Sequence, residues 1–310
     1  MLNQINGLHH VTSIASGAQS NNAFFTKDLG LRRVKKTVNF DAPDVYHLYY
    51  GDEIGSPGTV MTYFPFVGAR RGRPGAGEVS TTAFIVPKGA LPYWEKRLAD
   101  QKVAGLEKGT RFGENVLAFQ GPDGDGFALV EQDDDRPGWI SNGVPEEAAI
   151  RGFHSADMRL TQRGADASAE LLGFMGYEEE GKDGNVRRFR VPNGNEAQVI
   201  DITTVDAPMA DQGAGSVHHI AFSVDNREKQ LEVRKALMDT GYHVTPVIDR
   251  DYFWAIYFRT PGGVLFEVAT NEPGFDRDED TANLGEALKL PTQHEHLRTR
   301  LEQLLEPIND

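Results

Sequence analysis

The chain has 310 residues, 39% of them hydrophobic and 25% charged, a balance typical of a folded globular protein and not of a disordered one. It contains no cysteine, which excludes disulfides, thiolate metal sites, iron–sulfur clusters and a cysteine nucleophile. The net charge of −14 argues against binding to nucleic acid or to anionic membrane surfaces.

The first ten residues, MLNQINGLHH, lack the basic and apolar regions of an export signal. No apolar run approaches the length that crosses a membrane. We therefore expect a cytoplasmic protein.

The length of the chain is sufficient for two medium-sized domains.

Four related segments follow one another along the chain. Each begins with a short predicted strand, near Leu8, Val79, Phe153 and Val217, and continues into a stretch with apolar residues at helical spacing. These stretches are SNNAFFTKDLGL, GALPYWEKRLADQ, ASAELLGFMGY and REKQLEVRKALMDTGY. Apolar or alternating strands separated by turn residues complete each segment, such as VYHLYYG in the first and WAIYFRTPGGVLFEVAT in the last. The repeating unit is therefore predicted to be βαβββ.

Adjacent histidines stand in the opening strands of the first and fourth segments, as His9–His10 and His218–His219. Side chains alternate between the two faces of a strand, so one histidine of each pair faces whichever side lines a site. A single pair of this kind is more often a packing feature. Two pairs at equivalent points of a repeat favour a shared function.

The last strand of the fourth segment, GGVLFEVAT, is apolar except for Glu267. A carboxylate is costly to bury unpaired, so a cation or a hydrogen-bonding partner is required there. Two imidazoles and one carboxylate form the facial triad that suits non-haem Fe(II), although Mn, Zn or Ni fit the same ligand types. The two histidine pairs and Glu267 together predict a metal site.

The four βαβββ modules, the GLHH start, the VHHIAF strand and the YFR-P-G-LFE-AT ending resemble the vicinal oxygen chelate superfamily, also named for glyoxalase, bleomycin resistance and extradiol dioxygenase. The resemblance covers about residues 5–272. It implies an α+β fold in which four tandem modules form two barrels. We divide the chain into a two-module N-terminal domain (1–145), a two-module C-terminal domain (146–272) and a C-terminal helical tail (273–310), which is expected to dock as a helix.

Within that superfamily the motifs are similar to those of hydroquinone ring-cleaving dioxygenases, such as the 2,6-dichlorohydroquinone 1,2-dioxygenase group. The resemblance implies that His10, His219 and Glu267 hold one Fe(II) per chain, in a cup built from modules one and four. Ordinary catechol extradiol enzymes differ, because their three ligands all come from modules three and four.

The other cup, from modules two and three, is expected to lack histidine ligands. Thr81 stands where the fourth module has His219, and His154 or Ser155 lies near the ligand position of the third module. Glu131, in FALVEQ, is expected to parallel Glu267.

The resemblance also suggests roles for residues around the metal. Tyr257 would donate a hydrogen bond to a bound phenolate, although a core tyrosine is the plainer interpretation. His9 and His218 face away from the ligand side on strict alternation, yet the resemblance places such residues near the metal as acid–base or hydrogen-bonding groups.

Arg250 and Thr12 are predicted to contact the substrate. Arg250 would neutralise an anionic substrate, and the alternative is a surface ion pair with Asp249 or Asp251. Thr12 shares strand parity with His10 and is expected to face the same cup. The remaining histidines are predicted to be structural or exposed; they are His47, His154, His243, His294 and His296.

The implied function is that of an Fe(II)-dependent dioxygenase that cleaves the ring of hydroquinone or catechol-type aromatic diols with O2, with the protein expected to form a homo-oligomer. Two alternatives remain, because fold does not fix reaction. One is a glyoxalase or isomerase that uses a redox-silent metal. The other is a small-molecule binding or resistance protein.

Overall fold

The computed structural model describes residues 1–309 and contains four successive βαβββ modules, as predicted. The first contains β1 (Leu8–Ala15), α1 (Ala18–Ala23), β2 (Arg32–Asn39), β3 (Ala42–Gly51) and β4 (Val60–Pro65), and the second contains β5 (Glu78–Val86), α2 (Leu91–Asp100), β6 (Ala104–Arg111), β7 (Glu114–Gln120) and β8 (Gly126–Glu131). The third contains β9 (Gly152–Leu160), α3 (Gln162–Phe174), β10 (Glu178–Asp183), β11 (Val186–Arg190) and β12 (Val199–Thr204), and the fourth contains β13 (Val217–Val224), α4 (Arg227–Asp239), β14 (Ile248–Asp249), β15 (Phe253–Arg259) and β16 (Leu265–Pro273).

The strands form two eight-stranded sheets, each made from two modules. Their orders are β14-β15-β16-β13-β1-β4-β3-β2 and β10-β11-β12-β9-β5-β8-β7-β6. The modules join through their opening strands, with β1 antiparallel to β13 and β5 antiparallel to β9. This confirms the α+β fold with two barrels. Each sheet takes one module from residues 1–145 and one from residues 146–272. The division of the chain into domains at these bounds stays a prediction.

The helices cover the sheets through amphipathic faces. In α2 the residues Leu91, Trp94 and Leu98 are buried at helical spacing. Helix α4 is capped by the preceding Asn226, whose side chain accepts a hydrogen bond from the backbone N–H of Lys229. Truncating a fully buried side chain such as Leu98 to alanine is expected to cost about 2–5 kcal/mol. Among residues 1–309, no helix has both the length and the apolar character needed to cross a membrane.

The tail after β16 differs from the single docking helix that we predicted. Three 3-10 turns, Phe275–Arg277, Thr281–Asn283 and Thr292–Leu297, precede the seven-residue helix α5 (Arg298–Leu304). Gly285, with φ of +78°, and Pro291 interrupt the segment, since neither favours a continuous helix. Asp310 lies outside the described residues.

The tail packs against the chain's own first sheet. Phe275 belongs to the same buried cluster as Tyr49. Lys35, a fully buried residue of β2, forms ion pairs with Asp278 at 2.6 Å and Glu279 at 2.5 Å. These contacts fix the tail beside the sheet that carries the histidine pairs.

Candidate metal centre

Three predicted ligands meet on adjacent strands of the first sheet. His10 is on β1, His219 on β13 and Glu267 on β16, and their candidate ligand atoms lie within 4.8 Å of one another. The Nε2 atoms of His219 and His10 are 2.9 and 3.4 Å from Oε2 of Glu267. All three residues are buried, at 4%, 2% and 0% exposure in the order His219, His10 and Glu267. The hairpin between β15 and β16, with Gly263 at φ of +97°, returns the chain to Glu267.

The environment of Glu267 fits a bound divalent cation. Both of its carboxylate oxygens are buried without a hydrogen bond of good geometry. Burial alone would raise the pKa of this carboxyl, but the neighbouring His10 and His219 hold its pKa well below the usual value. An ionised carboxylate next to two imidazole nitrogens is a donor set that suits Fe(II) and other first-row metals.

Each candidate histidine ligand is held by its neighbour in sequence. Nδ1 of His10 lies 2.9 Å from Nδ1 of His9, and Nδ1 of His219 lies 2.7 Å from Nδ1 of His218. With each ligand's Nε2 directed at a metal, its Nδ1–H donates, so His9 and His218 accept at Nδ1. Burial lowers the pKa of His9 to about 3 and that of His218 to about 4, which keeps both rings neutral acceptors. The pairs therefore orient the ligands and fix their tautomers.

A cavity of about 350 Å³ opens beside the triad. Its apolar wall includes Ile14, Phe64, Phe66, Phe253 and Leu265, and its polar lining includes Asp41, His47, Tyr49, His218, Arg250 and Tyr257. A largely aromatic cavity with a few polar groups is typical of a small-molecule site. Its lining suits an aromatic compound with polar substituents.

Tyr257 and Arg250 occupy the predicted site together. Tyr257 pairs with Glu267 across β15 and β16, and burial, reinforced by that carboxylate, raises the pKa of the phenol well above its usual value. Nε of Arg250 donates to the Tyr257 hydroxyl at 3.3 Å, and Nη1 of Arg250 forms an ion pair with Asp41 at 3.1 Å. Arg250 therefore lines the cavity, and its carboxylate partner is Asp41, in the turn between β2 and β3.

His9 and Thr12 do not line the cavity, whereas His218 does. His9 reaches the site through its hydrogen bond with His10 and through its ring contact with Phe253, whose centroid lies 5.3 Å away. The hydroxyl of Thr12 is fully buried and lies 3.0 Å from that of Thr62. Thr12 therefore lies outside the cavity lining, in contrast to the direct contact with substrate that we predicted.

His47 is a cavity residue that the sequence analysis assigned to structural or surface positions. Its Nε2 lies 2.8 Å from the Thr62 hydroxyl and its Nδ1 lies 2.8 Å from the Tyr49 hydroxyl. The signal was present in VYHLYYG, where strand alternation places His47 and Tyr49 on the same face. The other histidines assigned to that class, His154, His243, His294 and His296, do not line this cavity.

The register of the second sheet corrects the prediction for Glu131. In the first sheet Ala221 pairs with Glu267, and at the equivalent point of the second sheet Ala83 pairs with Ala128. Ala128 therefore takes the place of Glu267, and Glu131 lies three residues further along β8. The motifs FALVEQ and LFEVAT are similar in sequence, but their glutamates occupy different positions in the strand register.

Ion pairs occupy the second cup in place of the triad. Arg188 contacts Asp201 at 2.9 Å and Glu114 at 2.6 Å, and Glu114 also lies 3.2 Å from Nε2 of His154. Burial alone would raise the pKa of Glu114, but the hydrogen bonds and positive charges of His154 and Arg188 outweigh burial and lower this pKa to about 2. These side chains satisfy one another without a metal.

Comparison with known proteins agrees with this geometry. The family model for the Glyoxalase/Bleomycin resistance protein/Dioxygenase superfamily matches residues 7–268. The chain belongs to this superfamily. The resemblance predicted from the motifs is thus confirmed, and the two sheets are the paired barrels of a superfamily member.

Full-length relatives of this superfamily member carry dioxygenase names. MhqO of Bacillus subtilis, named as a ring-cleaving dioxygenase, is 45% identical over 97% of this chain and 96% of its own length. The chlorohydroquinone/hydroquinone 1,2-dioxygenase of Sphingobium indicum is 38% identical over 99% of this chain and 97% of its own.

Solved structures show the same fold. A crystal structure of a Bacillus subtilis protein named as a dioxygenase superposes with a TM-score of 0.95 at 44% identity, covering 99% of this chain and 98% of that one. Glyoxalase I from Zea mays superposes with a TM-score of 0.62 at 13% identity, covering 86% and 92% of the two chains. The second likeness concerns the fold alone.

Proposed function

We propose that this protein is an Fe(II)-dependent dioxygenase that cleaves the ring of hydroquinone or catechol-type aromatic diols with O2. The observation that carries the proposal is the buried His10, His219 and Glu267 triad, which opens onto an aromatic-lined cavity. The full-length relatives named for ring cleavage and for hydroquinone support it. The expected homo-oligomer and cytoplasmic location remain predictions from the sequence.

His10, His219 and Glu267 would hold the metal. Fe(II) held by two imidazoles and one carboxylate would supply Lewis-acid and redox chemistry towards a deprotonated aromatic hydroxyl and O2. The hydrogen bonds from His10 to His9 and from His219 to His218 keep the ligand rings in the required orientation.

The remaining cavity residues would orient the substrate and control its protons. Tyr257, protonated because burial raises its pKa, donates a hydrogen bond to a substrate oxygen beside the triad. The guanidinium of Arg250 adds positive charge that favours the phenolate form. His218 keeps its proton on Nε2 at the cavity wall, where it can exchange a proton with the ring-opened product. Phe64 and Phe253 exclude water from the reacting ring.

The test is anaerobic reconstitution with Fe(II), followed by oxygen uptake on hydroquinone, methylhydroquinone and catechol. We expect uptake with at least one diol and a product that is heavier by both atoms of ¹⁸O2. Glu267→Gln should abolish uptake, and His243→Ala, a matched histidine substitution outside the cavity, should leave it unchanged.

Two outcomes would contradict the proposal. No uptake on all three diols, combined with isomerisation of a substrate by the Zn or Ni form, would favour the redox-silent alternative. Tight binding of a diol without turnover under any metal would favour the binding or resistance protein.

A further inference from the structure

A row of hydrogen-bonded side chains crosses the first sheet at the level of the triad. Tyr49 pairs with Thr62, Thr62 pairs with Thr12, and Thr12 pairs with His219, so these residues stand side by side on β3, β4, β1 and β13. Within the row the hydroxyls of Thr12 and Thr62 are 3.0 Å apart. His47 continues the chain, with Nε2 at 2.8 Å from Thr62 and Nδ1 at 2.8 Å from the Tyr49 hydroxyl.

Both ring nitrogens of His47 form hydrogen bonds within this row, whereas the Tyr49 hydroxyl can still form a further hydrogen bond. A phenol offers one donor and two acceptor positions, and among residues 1–309 the Tyr49 hydroxyl has one hydrogen-bonding contact, to His47. In one tautomer of His47 the phenol donates to Nδ1 and keeps an acceptor free. In the other it accepts from Nδ1–H and keeps its donor free. Tyr49 can therefore bind either a hydroxyl or a carbonyl oxygen.

Tyr49 lines the same cavity as the metal ligands but stands on β3, two strands from β1. Strands lie about 4.8 Å apart, so β3 is roughly 10 Å along the curved sheet from β1, which carries His10. Tyr49 is 1% exposed and Phe275 packs against its ring at 5.0 Å, which fixes the position of the phenol. A group held there meets a part of the substrate remote from the metal.

We propose that Tyr49 binds the second oxygen of a 1,4-diol and that His47 is the residue that positions it. The inference rests on the proposed function and deepens it. The first oxygen of such a diol faces His10, His219 and Glu267, and the second lies across the ring, towards β3. A 1,2-diol has both oxygens on the metal side and leaves Tyr49 without a partner.

The experiment measures dissociation constants of the Fe(II)-loaded protein under argon for hydroquinone, catechol and phenol. The wild type should bind hydroquinone about tenfold more tightly than phenol, the effect of one additional buried hydrogen bond. Tyr49→Phe should bring that ratio close to one and leave catechol affinity within about twofold. His47→Ala should reduce the ratio, and His47→Asn, whose amide can contact both neighbours, should restore it in part.

The binding ratio separates this role from a merely structural one, because a general loss of packing would weaken all three ligands alike. The control is His243→Ala, which should leave the ratio unchanged. Equal weakening of hydroquinone and phenol in Tyr49→Phe, or no change, overturns the assignment. Oxygen uptake is then measured on the same protein preparations. If the wild type binds the diols without oxygen uptake, only the proposed function is refuted. If oxygen is consumed but the binding ratio is unchanged in Tyr49→Phe, only the role of Tyr49 is refuted.

Discussion

A buried carboxyl between the two sheets makes a quantitative prediction about stability and pH. Tyr63 on β4 donates a hydrogen bond to Asp125, which directly precedes β8. Asp125 is 5% exposed, and burial raises its pKa from 3.8 to about 6. A raised folded-state pKa means that the unfolded chain releases this proton at lower pH, so stability falls as pH rises from about 4 to 6. The difference between the two pKa values corresponds to roughly 3 kcal/mol of unfolding free energy.

Asp125→Asn removes the titrating group, so this variant should not show the decline in stability of the wild type. The free energy of unfolding of the variant, minus that of the wild type, should therefore rise by up to about 3 kcal/mol between pH 4 and 7. Urea unfolding at several pH values, followed by circular dichroism, measures the difference. Tyr63→Phe should shift the decline to higher pH, because its hydrogen bond favours the ionised carboxylate. Asp239→Asn, an exposed substitution on α4, is the control. A flat difference for Asp125→Asn would refute the reasoning.

Three further predictions concern the metal, the phenol and the tail. Metal at 100 times its dissociation constant should stabilise the wild type by about 2.7 kcal/mol, and Glu267→Gln should lose most of that gain in thermal unfolding with and without Fe(II). Tyr257→Phe should lower kcat/KM for oxygen uptake about tenfold at unchanged metal content; a loss of metal instead would point to a structural role. Lys35→Met should destabilise the protein by about 3–5 kcal/mol in urea, since it leaves buried Glu279 unpaired, whereas Lys229→Met on an exposed pair should cost less than about 1 kcal/mol.

The sequence was sufficient to predict the repeat and the residues that converge at the centre. Period-two strands and glycine-terminated helical stretches predicted the βαβββ unit, and the fourfold repeat predicted paired barrels. His10 and His219 stood out because their histidine pairs occupy equivalent points of the repeat, and Glu267 because it is charged within an apolar strand. The structure brings all three together.

Features that depend on register or on distant contacts were not predictable in the same way. Sequence similarity suggested that Glu131 is the residue of the second module equivalent to Glu267. The hydrogen-bonding register assigns Ala128 to that position instead. A strand offset of this kind changes which face of the sheet a side chain occupies. The partner of Arg250 is Asp41, which is 209 residues away in the chain, so no local pattern indicated it. His47 was overlooked because strand alternation places it on one face with Tyr49 but does not indicate which face of β3 lines the cavity.

The candidate ligands come from opposite parts of the chain, His10 from the first module and His219 and Glu267 from the fourth. During synthesis on the ribosome the opening strand therefore emerges long before its partners exist. Such a nascent chain contains one candidate histidine ligand and lacks both His219 and Glu267, so its metal site is incomplete. Metal uptake at this site should therefore follow translation of the fourth module, and a polypeptide that stops before Glu267 should bind metal there weakly even where its earlier modules fold.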